Sequence, residues 1–155
     1  GFGVTGDASH IAAPDEQGRG AQKAMEFAIK DAEVGLGDIG YINAHGTSTP
    51  LGDKAEVHAV KALFGAHARK VAMSSTKSVT GHTLGGAGAI ETVATVKALV
   101  HGVLPPTINL DNPDEGFDLN FVPNTAQESR IRLAINNSFG FGGHNTSMVL
   151  GRFEG

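Results

Sequence analysis

The stretch Ser74 to Glu91, SSTKSVTGHTLGGAGAIE, sets a lysine, a histidine, four glycines and a carboxylate between two apolar segments. Lys77 brings a positive charge, His82 a group that gives or takes a proton near neutrality, and Glu91 a carboxylate. Two further polar stretches accompany it: Asn43-Ala44-His45-Gly46-Thr47-Ser48-Thr49, and Asn136-Asn137-Ser138-Phe139-Gly140-Phe141-Gly142-Gly143. A lone histidine after a strand is more often structural than catalytic. Two histidines at comparable strand-to-helix junctions, each flanked by glycine and hydroxyl residues, reverse that expectation. A zinc site would need a third ligand; neither loop has one, and Glu91 would have to reach in from a helix. The expectation is therefore a catalytic His pair and no metal.

Rigid elements must stand behind those loops. Val71-Ala72-Met73 reads as the end of a buried strand, and Ala87 to Val100 is apolar or small apart from Glu91, Thr92, Thr95 and Lys97, which predicts a largely buried helix. Lys77 and His82 fall on the connection between them, where ligands of parallel α/β sheets collect against helix N-termini. Gly85-Gly86-Ala87-Gly88 either admits substrate close to the backbone or serves tight helix packing, at about 1 kcal/mol per glycine relative to Ala.

Upstream, Gly1 to Thr5 looks like the tail of a strand that breaks at Gly6-Asp7. Ala21, Ala24, Met25, Ala28, Ile29 and Ala32 share one stripe of a helix over about Gly18 to Val34, with Gly35 where a left-handed cap belongs. Ile39 to Ala44 reads as a strand buried on both faces, Thr49 before Pro50 as a helix N-cap, and the helix after it runs to about Phe64. Three strand-and-helix passes argue for parallel strands with right-handed crossovers. Pro105-Pro106 and Asn112-Pro113 mark a long irregular connection, and Arg130 to Phe139 with Asn145 to Arg152 form a hairpin closed by Gly140 to His144. The expected fold class is α/β, a mixed five-stranded sheet with helices on both faces.

At 155 residues and 40% hydrophobic content, the chain is one domain, 1–155, with enough apolar residues for a core. A net charge of -4 without a Lys/Arg run excludes nucleic acid and anionic membrane surfaces as partners. No run of about 18 apolar residues and no signal peptide is present, so the expectation is a soluble, cytoplasmic protein. The absence of cysteine excludes disulfides and, within this chain, a thiol nucleophile. The chain starts at Gly1, inside the first strand, and reads as a piece of something longer.

NAHGTSTPLGDKAE, SSTKSVTGHTLGGAGAIE, LPPTINLDNPDE and NNSFGFGGHN, in that order and spacing, resemble the C-terminal half of the β-ketoacyl-acyl-carrier-protein synthases, in the thiolase-like condensing-enzyme family. The resemblance is nearest to the elongating type II and covers essentially the whole chain. It implies half of a thiolase-like fold and a decarboxylative condensation of a malonyl thioester with an acyl thioester in fatty acid synthesis. It further implies an N-terminal half that supplies a nucleophilic cysteine, a homodimer, and acyl carrier protein as partner.

By the same resemblance His45 and His82 complete a Cys-His-His site and stabilise the enolate formed as carbon dioxide leaves. Phe139 gives its backbone N–H to the oxyanion hole and its ring to a gate. Lys77 and Glu91 form a buried pair that tunes His82. Thr47 and Thr49 hold the phosphopantetheine arm of the carrier, and Asn43 with Glu91 contributes to a bound monovalent cation. No permanently bound cofactor is implied. A polyketide ketosynthase is the nearest rival. A non-catalytic chain-length-factor-like subunit would lack the nucleophile too, but the retained His45, His82 and Lys77 speak against it. The family's first strand lies in the middle of the half-sheet, so a strand cut short there puts independent folding in question.

Overall fold

The computed structural model describes residues 1–153. Its elements are β1 (Phe2–Gly6), α1 (Arg19–Asp31), β2 (Ile39–Asn43), α2 (Pro50–Phe64), β3 (Ala72–Ser74), α3 (Lys77–Thr80), α4 (Ala87–His101), β4 (Val103–Leu104), β5 (Gln127–Glu128), β6 (Leu133–Gly140) and β7 (His144–Gly151). Five of the strands form one mixed sheet in the order β1-β7-β6-β2-β3, with β2 parallel to both β3 and β6 and the last hairpin antiparallel. The expected class, strand number and mixture are all present.

Strand alternation sorts the core into two layers. Ile42, Met73, Ile135 and Val149 pack against Met25, Ala28 and Ile29 of α1 and Ala59, Val60 and Phe64 of α2. Tyr41, Ala72 and Ala134 turn to the other face and meet Ala98 and Leu99 of α4, with Leu104 and Val122 closing the layer. Helices thus cover both faces. The irregular connection after β4 lies beside β3, where Met73 N–H donates to Asn120 O at 2.8 Å. Among the described residues no helix is long and apolar enough to cross a membrane.

Several local expectations are corrected. β1 lies at the edge of the sheet, not in the middle, and among the described residues pairs only with β7. Its Gly3 packs so closely on α1 that a Cβ there would lie 2.0 Å from Ala24 O. Helix α1 ends at Asp31, and the left-handed residue after it is Glu33 (φ 56°), while Gly35 is extended (φ -88°). Val34 N–H reaches back to Ile29 O at 3.3 Å, so the helix closes before Gly35 is reached. Thr49 sits at the N-cap of α2, but its hydroxyl meets the Thr47 hydroxyl at 3.1 Å instead of a helix N–H.

The helix expected to be largely buried is α4, and it is buried on one side only. Ala87, Glu91, Thr95, Ala98 and Leu99 face the sheet, whereas Ile90, Val93, Val96 and Val100 are 41–60% exposed. Phe2 and Val4 of β1 are also exposed, both beyond 50%. An outer stripe of β-branched residues on a helix seeks a partner. The isolated 155-residue chain should accordingly self-associate in light scattering, and Val93→Glu with Val100→Lys should reduce that association. A monodisperse monomer with a sharp melt at high concentration would count against this reading.

Candidate active site

β2 carries His45 to the carboxyl end of the sheet. Ala44 N–H continues the pairing to Ser74 O at 2.9 Å, and the chain then turns at Gly46 (φ 36°). A Cβ on Gly46 would lie 2.6 Å from the Ser75 Cβ, so glycine is required there on two counts. The turn is held from below by Glu56 of α2, which is 2% exposed. Its two carboxylate oxygens accept His45 N–H at 3.0 Å and Gly46 N–H at 2.9 Å, and Oε1 also accepts the Asn137 amide at 3.0 Å. Ser147 Oγ donates to Asn137 Oδ1 at 2.8 Å, which fixes the amide so that its nitrogen faces Glu56. Burial pushes the Glu56 carboxyl up, and the three donors draw it back. Sequence reasoning missed Glu56; its signal was an acidic residue on the same apolar stripe as Ala59 and Val60. Asp53 adds a further tether, accepting Ser48 N–H at 3.1 Å where Ser48 is left-handed (φ 65°).

Lys77, expected on a loop, opens the short helix α3 and is buried together with Glu91 of α4, to which it is ion-paired. Neither the ammonium nor the carboxylate has another hydrogen-bond partner among the described residues. Burial pushes the Glu91 carboxyl up and the Lys77 ammonium draws it back. A lone buried charge is expensive, so the pair binds α3 and α4 to each other. Asn43 lies alongside: its amide reaches Glu91 O at 3.4 Å and its oxygen accepts the Thr76 hydroxyl at 3.3 Å.

His82 comes after α3 and Gly81 (φ 72°) and is exposed. Leu84 N–H donates to its Nδ1 at 3.2 Å, which leaves the proton on Nε2. The glycines beyond it have room: a Cβ on Gly85 meets nothing within 4 Å, and one on Gly88 only Ser138 Oγ at 3.9 Å. Open space beside the site, not tight packing, is what this run provides.

The two histidines converge. Their rings stand 5.5 Å apart at 86°, and the Phe139 ring lies 5.5 Å from His45 on another side. Burial, then the charges of Lys77 and His82, push His45 down to about 3, so its ring is neutral at neutral pH. His45, His82, Thr47, Thr49, Phe139 and Phe141 border one cavity of about 450 Å³. A neighbouring cavity of about 480 Å³ reaches Lys77, Asp53 and His82 from the other side of the His45 turn.

The direction of the Phe139 N–H is set by strand phase. Gly1 and Val149 exchange both backbone bonds, at 3.2 and 2.8 Å, and Asp7 N–H donates to Gly143 O at 2.9 Å, so the odd residues of β7 face β1. The even ones then face β6, pairing Met148 with Asn136, Thr146 with Ser138 and His144 with Gly140. Odd residues of β6 point away from β7, and β2 stops at Asn43, opposite Asn136. The Phe139 N–H therefore faces the open ground beyond the end of β2, beside His45. Phe141, also on this cavity, is 82% exposed and sits in the turn between the two strands.

Residues 1–111 match the family model described as β-ketoacyl synthase, C-terminal domain. The chain belongs to the β-ketoacyl synthase family. It is 54% identical over 152 residues to a 3-oxoacyl-[acyl-carrier-protein] synthase 2 of Coxiella burnetii, covering 98% of this chain and 37% of the relative. The synthase 2 of Staphylococcus aureus is 48% identical over 154 residues, with 99% and 37% coverage. Among solved structures, a type II PKS acyl-carrier protein in complex with its ketosynthase superposes with a TM-score of 0.97 at 33% identity, covering 99% of this chain and 38% of that one. A β-ketoacyl synthase from Burkholderia phymatum gives 0.89 at 36% identity, with 99% and 37% coverage. This synthase domain thus spans a little over a third of the length of those relatives.

Two outcomes are expected for the full-length synthase. Glu56→Gln keeps the side chain's size but turns an acceptor into a donor facing N–H groups, and should lower stability by about 1–3 kcal/mol in urea unfolding; an unchanged midpoint would exclude Glu56 as the tether. For His45, the unfolded ring titrates near 6.5 and the folded one near 3, so the unfolded chain binds more protons between those values. Stability should therefore fall as pH drops through that window, and His45→Gln should flatten the dependence of the urea midpoint on pH.

Proposed function

We propose that this domain is the C-terminal part of a 3-oxoacyl-[acyl-carrier-protein] synthase 2 that elongates fatty acids by decarboxylative condensation of malonyl and acyl carrier thioesters. The observation that carries this reading is the pair of perpendicular imidazoles 5.5 Å apart, one neutral and half-buried, the other with its Nε2 proton free for a ligand. The N-terminal half supplies the cysteine that takes the acyl group as a thioester. The exposed face of α4, with Phe2 and Val4, is a surface of the kind such a half would cover.

In the reaction the bond from the malonyl α-carbon to its carboxyl group breaks, carbon dioxide departs, and the electron pair passes to an enolate. Its oxygen accepts N–H donors from His45 and His82. The carbon then attacks the acyl thioester, forming the new carbon–carbon bond and expelling the cysteine thiolate. The Phe139 N–H, aimed past the end of β2, serves the oxyanion of that second step together with the cysteine N–H. The gate expected of Phe139 fits Phe141 better, because Phe139 packs on the core while Phe141 is free to swing. Thr47 and Thr49, whose hydroxyls meet at 3.1 Å at the cavity wall, bind the phosphopantetheine arm.

Lys77 and Glu91 hold the His82 loop in place. Apart from the Lys77 ammonium, Glu91 has no hydrogen-bond partner for its carboxylate among the described residues, and neither has the buried Asn136 Oδ1; these oxygens beside Asn43 support a monovalent cation there. Such an ion would lock the ends of β2, β6 and α4 together. Acyl carrier protein is the delivering partner, and the working enzyme is a cytoplasmic homodimer. A polyketide ketosynthase is the second reading; 48–54% identity to the synthase 2 relatives, against 33% to the type II PKS ketosynthase structure, favours the first.

The test separates two steps in the full-length enzyme. His45→Ala and His82→Ala should each slow release of labelled carbon dioxide from malonyl carrier thioester by roughly a hundred- to a thousand-fold, the typical loss of one oxyanion-type donor. Acyl transfer to the cysteine, followed by mass spectrometry, should fall far less, and Lys77→Ala should show a milder form of the same split. Equal loss of both steps would make the histidines mere scaffolding for the cysteine.

A further inference from the structure

The opposite ends of the same strands open onto a cleft of about 570 Å³. Its floor is the start of β2 and β6, at Ile39 and Leu133, and its walls are the α1–β2 connection, the turn Gly65–Lys70 and the outer ends of β6 and β7. Lys70, Arg130, Arg132 and Arg152 all line it. A third of the chain's 12 Lys and Arg residues are thus gathered in one cleft, although the chain as a whole carries -4.

Of the eight basic side chains elsewhere, five are ion-paired among the described residues. Arg19 pairs with Asp15, Lys23 with Glu26, Lys61 and Arg69 with Asp118, and Lys77 with Glu91. Lys70, Arg130 and Arg152 have no carboxylate in ion-pair range among the described residues. Among the described residues the one carboxylate lining the cleft, Asp38, is already engaged by Gly35 N–H at 2.8 Å. The buried Nε2 of His67, another lining residue, has no hydrogen-bond partner among the described residues. At Gly37 a Cβ would meet nothing within 4 Å, so the rim is open.

Like charges collected around a concave surface repel each other and focus a positive potential into it, which an entering anion relieves. Guanidinium groups match phosphate oxygens in bidentate geometry, and several cations around one cleft suit a ligand with several negative charges. The cleft volume falls within the roughly 300–1,000 Å³ of small-molecule sites. A nucleic acid would need a longer basic track than this one local cluster.

We propose that this cleft is a binding site for a small soluble anion carrying two or more phosphates. The inference does not depend on the reaction assigned to the histidines, because its residues lie at the other ends of β2 and β6.

The test is calorimetric titration of the full-length protein with tripolyphosphate at several chloride concentrations. Expected is one saturable site per chain whose affinity weakens as salt rises. Arg130→Gln with Arg152→Gln should weaken it at least tenfold while condensation kcat without tripolyphosphate stays unchanged; Lys70→Gln, on a different wall, should weaken it several-fold by itself. The control pair Lys23→Gln with Lys30→Gln on α1 should leave it intact. Absence of a saturable site, equal weakening by the control pair, or orthophosphate binding as tightly as tripolyphosphate would overturn the proposal. So would retention of affinity in Lys70→Gln if the arginine pair failed to fold. Tighter binding to phosphatidic acid vesicles than to tripolyphosphate would overturn it in favour of a membrane headgroup.

Discussion

A carboxylate taken out of water must find donors or a counter-charge, and two buried carboxylates organise this domain. Glu56 answers that demand with three N–H donors, two of them from the backbone at His45 and Gly46. Glu91 answers it with the Lys77 ammonium. In both cases a group that satisfies the charge lies on, or just before, the loop that carries a histidine. Removing either carboxylate would leave buried donors or a buried ammonium unmatched, which is costlier than the bond itself is stabilising. The loops carrying the two histidines are therefore held by electrostatic necessity, not by side-chain packing alone.

The sheet supplies the distances. β2 and β6 run parallel, with Asn43 and Asn136 level with each other, so the residues beyond that level on both strands arrive at the same rim. His45 comes two residues after β2, Phe139 three residues after Asn136, and His82 is returned to the rim by α3 and the left-handed Gly81. Neutral His45 in its half-buried setting and exposed His82 are chemically unequal, although the sequence presents them alike.

Legibility in the sequence tracked the range of the interactions. The periodicity of α1 and α2 and the hydrophobic runs of β2 and β3 reported local preferences, and those elements form where expected. The His pair and the Lys77–Glu91 pair came from motif order. What failed was whatever depends on a neighbour far along the chain. An apolar helix reads as buried whether or not its second face has a partner within the chain, so the bare stripe of α4 was invisible. Glu56 needed Asn137, 81 residues away, before its role could be seen. The position of β1 at the edge was set by its pairing with β7, at the other end of the chain. Caps failed for a smaller reason: Glu33 adopts the left-handed conformation two residues before the glycine that composition favours.

The alternation of hydrogen bonds along β6 gives the hairpin a parity. Even residues are tied to β7 and odd ones look toward β2, and the hairpin closes at Gly140 opposite His144. A single residue inserted into β6 between Asn136 and Phe139 would exchange the two sets, turning the Phe139 N–H into the sheet and aiming a carbonyl-and-amide pair from its neighbour at the histidines. An insertion of two would restore the phase and merely lengthen the reach. Length variation in this strand is thus not a continuous freedom: it comes in even steps, and the polarity of the rim is written in whether a count of residues is odd or even.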